Sequence, residues 1–235
     1  MAIDSCGHDT HAGLVRSHNE DSYLIDAHLG LGIVADGMGG HASGEVASQI
    51  VVAKVQDEVR AGTPMAEALV KAHHAVLEAV QAGKGKSGMG STALAVKLDG
   101  HNFEVVWVGD SRAYLWNHGQ LHQITRDHSL VQQLVDRQEI TAQEALNHPQ
   151  RHYITQAIGM EGLNRLEVGR VRGRLNSGQQ ILLCSDGLSS EVTDEEIVAI
   201  LAMDVGDQAK VDKLILKALD NGGSDNVTVL LISAP

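Results

Sequence analysis

The chain has 235 residues, with 18 lysines and arginines against 30 aspartates and glutamates, a formal charge of −12. That length fits one large domain or two small ones with a substantial core. The acidic balance argues against a nucleic-acid partner, because no basic surplus exists to neutralise phosphates, and two cysteines outside any CxxC pattern argue against structural zinc and a disulfide framework. The start, Met1-Ala2-Ile3-Asp4-Ser5, has no basic stretch followed by an apolar one, so no signal peptide is expected. No apolar run approaches the ~18 residues of a membrane span, and a reducing, cytoplasmic setting is the expectation.

The first stretch, to about Asp36, reads as strands, clearest at Ser22 to Ile25 and at Leu31 to Ala35. Two helices follow. Val46, Ala47, Ile50, Val51, Val55 and Val59 set one apolar stripe along 42–60, and Met65, Leu69, Ala72, Val76 and Val80 set another along 64–82. Pro64 suits a first helical turn, and Gly62 and Gly83 punctuate the ends. The run 83–90 is rich in glycine and lysine and reads as a loop. It lacks the GxxxxGK[ST] order and a preceding strand, so it is not taken as a nucleotide loop. From Ser91 to Thr125 the pattern is an antiparallel meander: 92–98 and 103–108 join through Asp99-Gly100, and 112–116 and 121–124 through Asn117-His118-Gly119. Residues 127–160 change character, with a short helix from Leu130 to Arg137 and a capping box, Thr141 to Glu144, opening another. This insert reads as a lid or flap. Strands return at about 166–171 and 180–184, where Cys184 reads as a small core residue. A second capping box spans Thr193 to Glu196, an amphipathic helix carries Val211, Leu214, Ile215 and Ala218, and the chain closes on a strand from Val227 to Ile232. The order predicts an α+β fold, helices outside a sheet-on-sheet core.

Several acids stand where strands meet turns: Asp36 before Gly37, Asp186 before Gly187, Asp225 before Asn226, the pair Glu20-Asp21, Asp110 and Asp127. One such acid is ordinarily a turn residue accepting local backbone hydrogen bonds. A set around one sheet system would repel itself unless cations relieved it. The donors are all oxygen, with no HExxH pair among 13 histidines, which favours Mg²⁺ or Mn²⁺ over Zn²⁺. Two such ions suit attack on phosphorus, and Arg16, four residues before Glu20, is the candidate to hold a phosphate in its planar fork.

Arg16-Ser17-His18-Asn19-Glu20-Asp21, Asp36-Gly37-Met38-Gly39-Gly40-His41, Gly90-Ser91-Thr92, Val108-Gly109-Asp110-Ser111-Arg112, Asp186-Gly187 and Asp225-Asn226 follow one another in the chain. Together they resemble the motif series of the type 2C metal-dependent protein Ser/Thr phosphatases, the PPM family. The DGMGGH form is similar to the stand-alone bacterial branch, and the likeness covers about residues 8 to 232. It implies a four-layer α-β-β-α sandwich, two antiparallel sheets face to face with helix pairs outside. It also implies one catalytic domain over 1–235, with 127–160 as a flap that affects substrate choice. Two to three Mn²⁺ or Mg²⁺ ions are implied. Asp36 would bridge two of them. Asp186 and Asp225 would complete the first, and Glu20 and the Gly37 carbonyl would serve the second, with Asp21 acting through ordered water. Asp127, with Asp186, would hold a third, and Arg16 would contact the phosphate. The implied reaction is in-line attack on phosphoserine or phosphothreonine by a water bridging the two ions, without a phosphoenzyme. A phosphoprotein substrate, a cognate Ser/Thr kinase and a monomeric protein are the implied partners and state.

Three departures bear on chemistry. Animal relatives carry a proposed general acid, a histidine, where this chain has Met38, and His41 nearby is not equivalent. Ser190 stands where some relatives have a further acid, which weakens a third ion. Gly109-Asp110-Ser111-Arg112 is read as mainly structural. The alternative to a working enzyme is a weak, phosphoprotein-binding or scaffolding member of the same family; loss of Asp36, Asp186 or Asp225 would favour it, and all three are present.

Overall fold

The structure is a computed structural model and describes residue 3 and residues 5–39, 43–163 and 165–234. Along the chain it runs β1 (Ser5–His11), β2 (Asp21–Asp26), β3 (Leu31–Met38), α1 (Ser43–Arg60), α2 (Met65–Gln81), β4 (Gly90–Ser91), β5 (Ala93–Asp99), β6 (Asn102–Val108), β7 (Arg112–Asn117) and β8 (Gln120–Gln123). Then come α3 (Leu130–Asp136), α4 (Ala142–Leu146), β9 (Gly169–Arg174), β10 (Gln179–Cys184), α5 (Asp186–Ser189), α6 (Asp194–Leu201), α7 (Asp207–Asp220) and β11 (Val227–Ser233).

The strands form two antiparallel sheets. One has the order β1-β11-β10-β7-β8; the other has β2-β3-β5-β6-β9, with β4 pairing to β3. The period-two alternation of strand side chains explains how they stack. On β11, Leu230 and Ile232 face the other sheet, where they meet Val34, Leu94, Val96 and Val105. Val227, Val229 and Leu231 face outward and are covered by Val211, Leu214 and Ala218 of α7 and Ile197 of α6. On the second sheet, Ile33, Ala95 and Val106 are covered by Val51, Val55, Leu69, Ala72 and Val76 of α1 and α2. Strands buried on both faces read as near-continuous apolar runs, as Val227 to Ile232 does apart from Thr228. The result is the expected four-layer α-β-β-α sandwich. Cys184 is fully buried.

Both capping boxes form: the Thr141 and Thr193 side chains accept from the backbone N–H of Glu144 and Glu196, whose carboxylates reach back. One strand is displaced from its expected position. β9 begins at Gly169, three residues later than the apolar pattern suggested, because Gly169 and Gly173 lie flat on Trp107 and Phe103. A Cβ on either would come within 2.5 Å of a ring. Leu166 drops out of the sheet to join the core under α2. The insert between β8 and β9 carries α3 and α4, neither of which buries a residue. An isolated bridge from Ser129 to Ile154 closes the insert on itself, and one from Ser91 to Ile158 ties it to β4.

Candidate active site

Ends of both sheets meet around a cleft of about 710 Å³. Glu20 precedes β2, Asp36 lies near the end of β3, Asp110 follows β6, Asp186 follows β10 and Asp225 precedes β11. All five line this cleft, with Arg16 and the backbone of Gly37. Acids 16 to 205 residues apart in sequence are therefore brought to one wall by strand pairing alone.

Local chemistry fixes each one. The Asp36 backbone is bonded on both sides to Thr92: its N–H donates to the threonine Oγ1 at 2.9 Å, and its carbonyl accepts the threonine N–H at 2.8 Å. Gly37 lies against α1, where an added Cβ would stand 2.2 Å from the Gly44 carbonyl oxygen. No side chain can replace it, and its N–H donates to the Glu20 carbonyl at 3.2 Å. Buried Asn226 clamps the loop that carries Arg16 and Glu20. Its Oδ1 accepts from the Glu20 N–H at 2.8 Å, and its Nδ2 donates to the carbonyls of Ala12 and His18, both at 2.9 Å. The Asp-Asn motif thus supplies an anchor as well as an acid.

The electrostatics are those of an acid surplus. In the β2–β3 register Asp21 stands directly opposite Asp36, and like charges so placed repel. Burial, then the carboxylates of Asp21 and Asp186, push the Asp36 carboxyl well above the usual carboxylate range. Burial and Asp225 raise Asp186. Burial and Asp186 push Asp110 up to about 8. Asp21 is pushed up to about 7 by burial, against the pull of two hydroxyls that donate to its Oδ2, Ser185 at 2.8 Å and Thr228 at 2.6 Å. Its Oδ1 is buried without a partner. An orphaned carboxylate oxygen and a cluster of half-buried acids with elevated proton affinity fit a hard divalent cation.

Not every expected ligand is free to close on an ion. Arg16 holds Asp225 in a two-pronged pair, Nε to Oδ1 at 2.9 Å and NH2 to Oδ2 at 2.8 Å. Among the described residues, no three acids, histidines or cysteines already converge on one point. Asp127 is the clearest departure. It does not line the cleft; Arg112 grips both its oxygens at 2.8 to 3.1 Å, and Gln123 donates to it as well. The acid brought to Asp186 is Asp110, which the sequence reading set aside as structural. Its signal was present in the shared setting, an acid at a strand end beside a glycine. His152, from the insert, was also missed; it lines the same cleft and lowers the proton affinity of Asp186. Gly40 and His41 lie outside the described residues.

Known proteins resemble this chain along most of its length. A family model for protein phosphatase 2C matches residues 13–215. The serine/threonine protein phosphatase PstP of Mycobacterium tuberculosis is 44% identical over 227 residues, covering 93% of this chain and 43% of the relative. The chain thus spans less than half the length of that protein. The serine/threonine phosphatase stp of Listeria welshimeri is 34% identical over 236 residues, covering 95% of this chain and 93% of the relative. Among solved structures, the catalytic domain of PstP in complex with two manganese ions superposes with a TM-score of 0.85 at 36% identity, covering 97% of this chain and 96% of that one.

Proposed function

The chain belongs to the protein phosphatase 2C family, and from that premise we propose that it is a Mn²⁺- or Mg²⁺-dependent phosphoprotein phosphatase acting on phosphoserine and phosphothreonine. The observation that carries the reading is the gathering of Glu20, Asp36, Asp110, Asp186 and Asp225 in one cleft beside Arg16. Bound divalent ions there acidify water and neutralise phosphoryl oxygens.

The chain's own residues do the rest. Asp36, Asp186, Asp225, Glu20 and the Gly37 carbonyl would hold the ions, and Asp110, rather than Asp127, would add a further oxygen donor. Asp21 sits behind Asp36 and keeps its unpaired Oδ1 for ordered water. Arg16 offers a planar fork that fits two phosphoryl oxygens as well as it fits the Asp225 carboxylate. Asn226 holds the Arg16 loop in register with the acids. Met38 has no proton to give. His152, presented by the insert, is the proposed partner of the leaving oxygen, supported by its place on the cleft wall. We read the described residues as one catalytic domain with 127–160 as its flap.

The substrate is then a phosphoprotein, made by a Ser/Thr kinase of the same cell. The proposed setting is cytoplasmic and the proposed state monomeric. No described helix is long and apolar enough to cross a membrane. Hydrolysis of an aryl phosphate and a phosphothreonine peptide, each with Mn²⁺, with Mg²⁺ and with chelator, tests the reading. Turnover only with metal is expected. Turnover in chelator, or none with either metal, would sink it.

A further inference from the structure

Single exposed apolar residues need no account, but three of those in this protein are joined and lead to the cleft. Leu14 and Val15 leave 65% and 71% of their surface in water, and Leu216 leaves 58%. The Leu14 N–H donates to the Gly223 carbonyl at 2.7 Å. Above Gly223, Leu14 Cγ and Leu219 Cδ2 close on one point, 3.0 and 3.1 Å from where a Cβ would stand. Leu219 lies three residues beyond Leu216, on the same flank of α7. Leu14, Leu219 and Leu216 make a strip, and exposed Val15 follows Leu14 along the chain toward Arg16.

The strip is presented on ordered backbone. Gly13 holds φ +78°, and a Cβ there would stand 2.2 Å from the Asp225 carbonyl oxygen, so the turn that carries Leu14 and Val15 is locked to the end of β11. Leu216 contributes nothing to the face that α7 buries, which is Val211, Leu214, Ile215 and Ala218. At its other end Val15 abuts Arg16, and Arg16, Ser224 and Asp225 line the cleft. The apolar surface is therefore continuous with the place where the phosphate is read.

We propose that this strip is a docking ledge for the phosphoprotein substrate, taking an apolar side chain on the Arg16 side of the phosphorylated residue. At ~3.3 Å per extended residue, that side chain lies within about three positions of the phosphoresidue. The inference rests on the phosphatase reading and adds a sequence preference to it. Covering an exposed valine or leucine removes apolar area from water and is favourable in proportion to that area.

The test uses phosphothreonine peptides carrying Leu or Ser at each of three positions on either side, hydrolysed with Mn²⁺, with an aryl phosphate as control. Leu at one of these positions should raise kcat/KM about tenfold over Ser. In the double variant Val15→Ser with Leu216→Ser that advantage should fall below about threefold, while aryl-phosphate turnover stays within about twofold of the parent. Equal rates for Leu and Ser peptides at every position overturn the ledge, and so does an unchanged preference in the variant. No aryl-phosphate turnover by the parent protein overturns the phosphatase reading, and the ledge with it.

Discussion

Asp127 and the acids of the cleft all stand near strand ends in this protein, and they are balanced in opposite ways. Asp127 is held against a guanidinium: two nitrogens of Arg112 make three bonds to it, and Gln123 adds a fourth. Among the described residues, the cation hydrogen-bonded to a cleft acid is Arg16, which is 57% exposed and pairs with Asp225, while Arg112 and His152 act on Asp186 only at a distance. Asp36, Asp110, Asp186 and Asp21 face one another instead, and each is driven toward the protonated form. A buried pair is a finished structural contact. A buried surplus of acid is destabilising until a cation arrives. The difference separates scaffold from site without reference to any relative.

The comparison can be broken most sharply at Asp186. Asp186→Asn should lower Mn²⁺-dependent hydrolysis of an aryl phosphate by on the order of 10³-fold with an unchanged circular dichroism spectrum. Retained turnover would mean that the surplus acids are not the reacting centre.

The pH dependence of stability sharpens it next. Folded-state pKa values of about 7 for Asp21 and about 8 for Asp110 lie above their unfolded values. The folded state therefore binds more protons than the unfolded state from about pH 4 to pH 8, and stability falls as pH rises through that window. Denaturant melts in chelator should show this fall, and saturating Mn²⁺ should flatten it. A chelated protein whose stability rises steadily to pH 8 would contradict the surplus.

The paired acid should behave in the opposite sense. Arg112→Met strands a buried carboxylate and should cost about 3 kcal/mol in urea unfolding, with or without Mn²⁺. A loss that Mn²⁺ repairs would place Asp127 among the ion ligands after all.

The smallest expected effect is at Arg16. Arg16→Ala removes the phosphate fork and should raise KM for a phosphopeptide roughly tenfold. The same change frees the Asp225 carboxylate, so Mn²⁺ affinity measured by calorimetry should tighten. Weaker Mn²⁺ binding in this variant would show that Arg16 and a cation do not draw on the same acid.

Much of the fold was legible in the linear pattern, and for local reasons. Helical stripes at 46–59 and 65–80, two capping boxes and the glycine turns all depend on neighbours within four residues. Each formed as read, because helix and hairpin periods are properties of the backbone itself. β9 was misplaced because its start is decided by Trp107 and Phe103, rings on the partner strand more than sixty residues earlier.

The sequence alone determined that acids and glycines sit at strand ends in an order typical of one phosphatase family, and that Arg16 precedes them. The resemblance gave Asp127 an ion and left Asp110 structural, while their local settings did not separate the two. Both follow a strand in the same meander, so their local settings are alike. Tertiary structure decided between them. The β7–β8 hairpin, with Tyr114 opposite Gln123, carries Asp127 back to hydrogen-bond Arg112, while the pairing of β6 within the other sheet leaves Asp110 near Asp186 and Asp127, with Arg112 close by but not bonded to it. A carboxylate's role depends on which charge stands within a few ångströms of it, and that neighbour is set by long-range strand pairing.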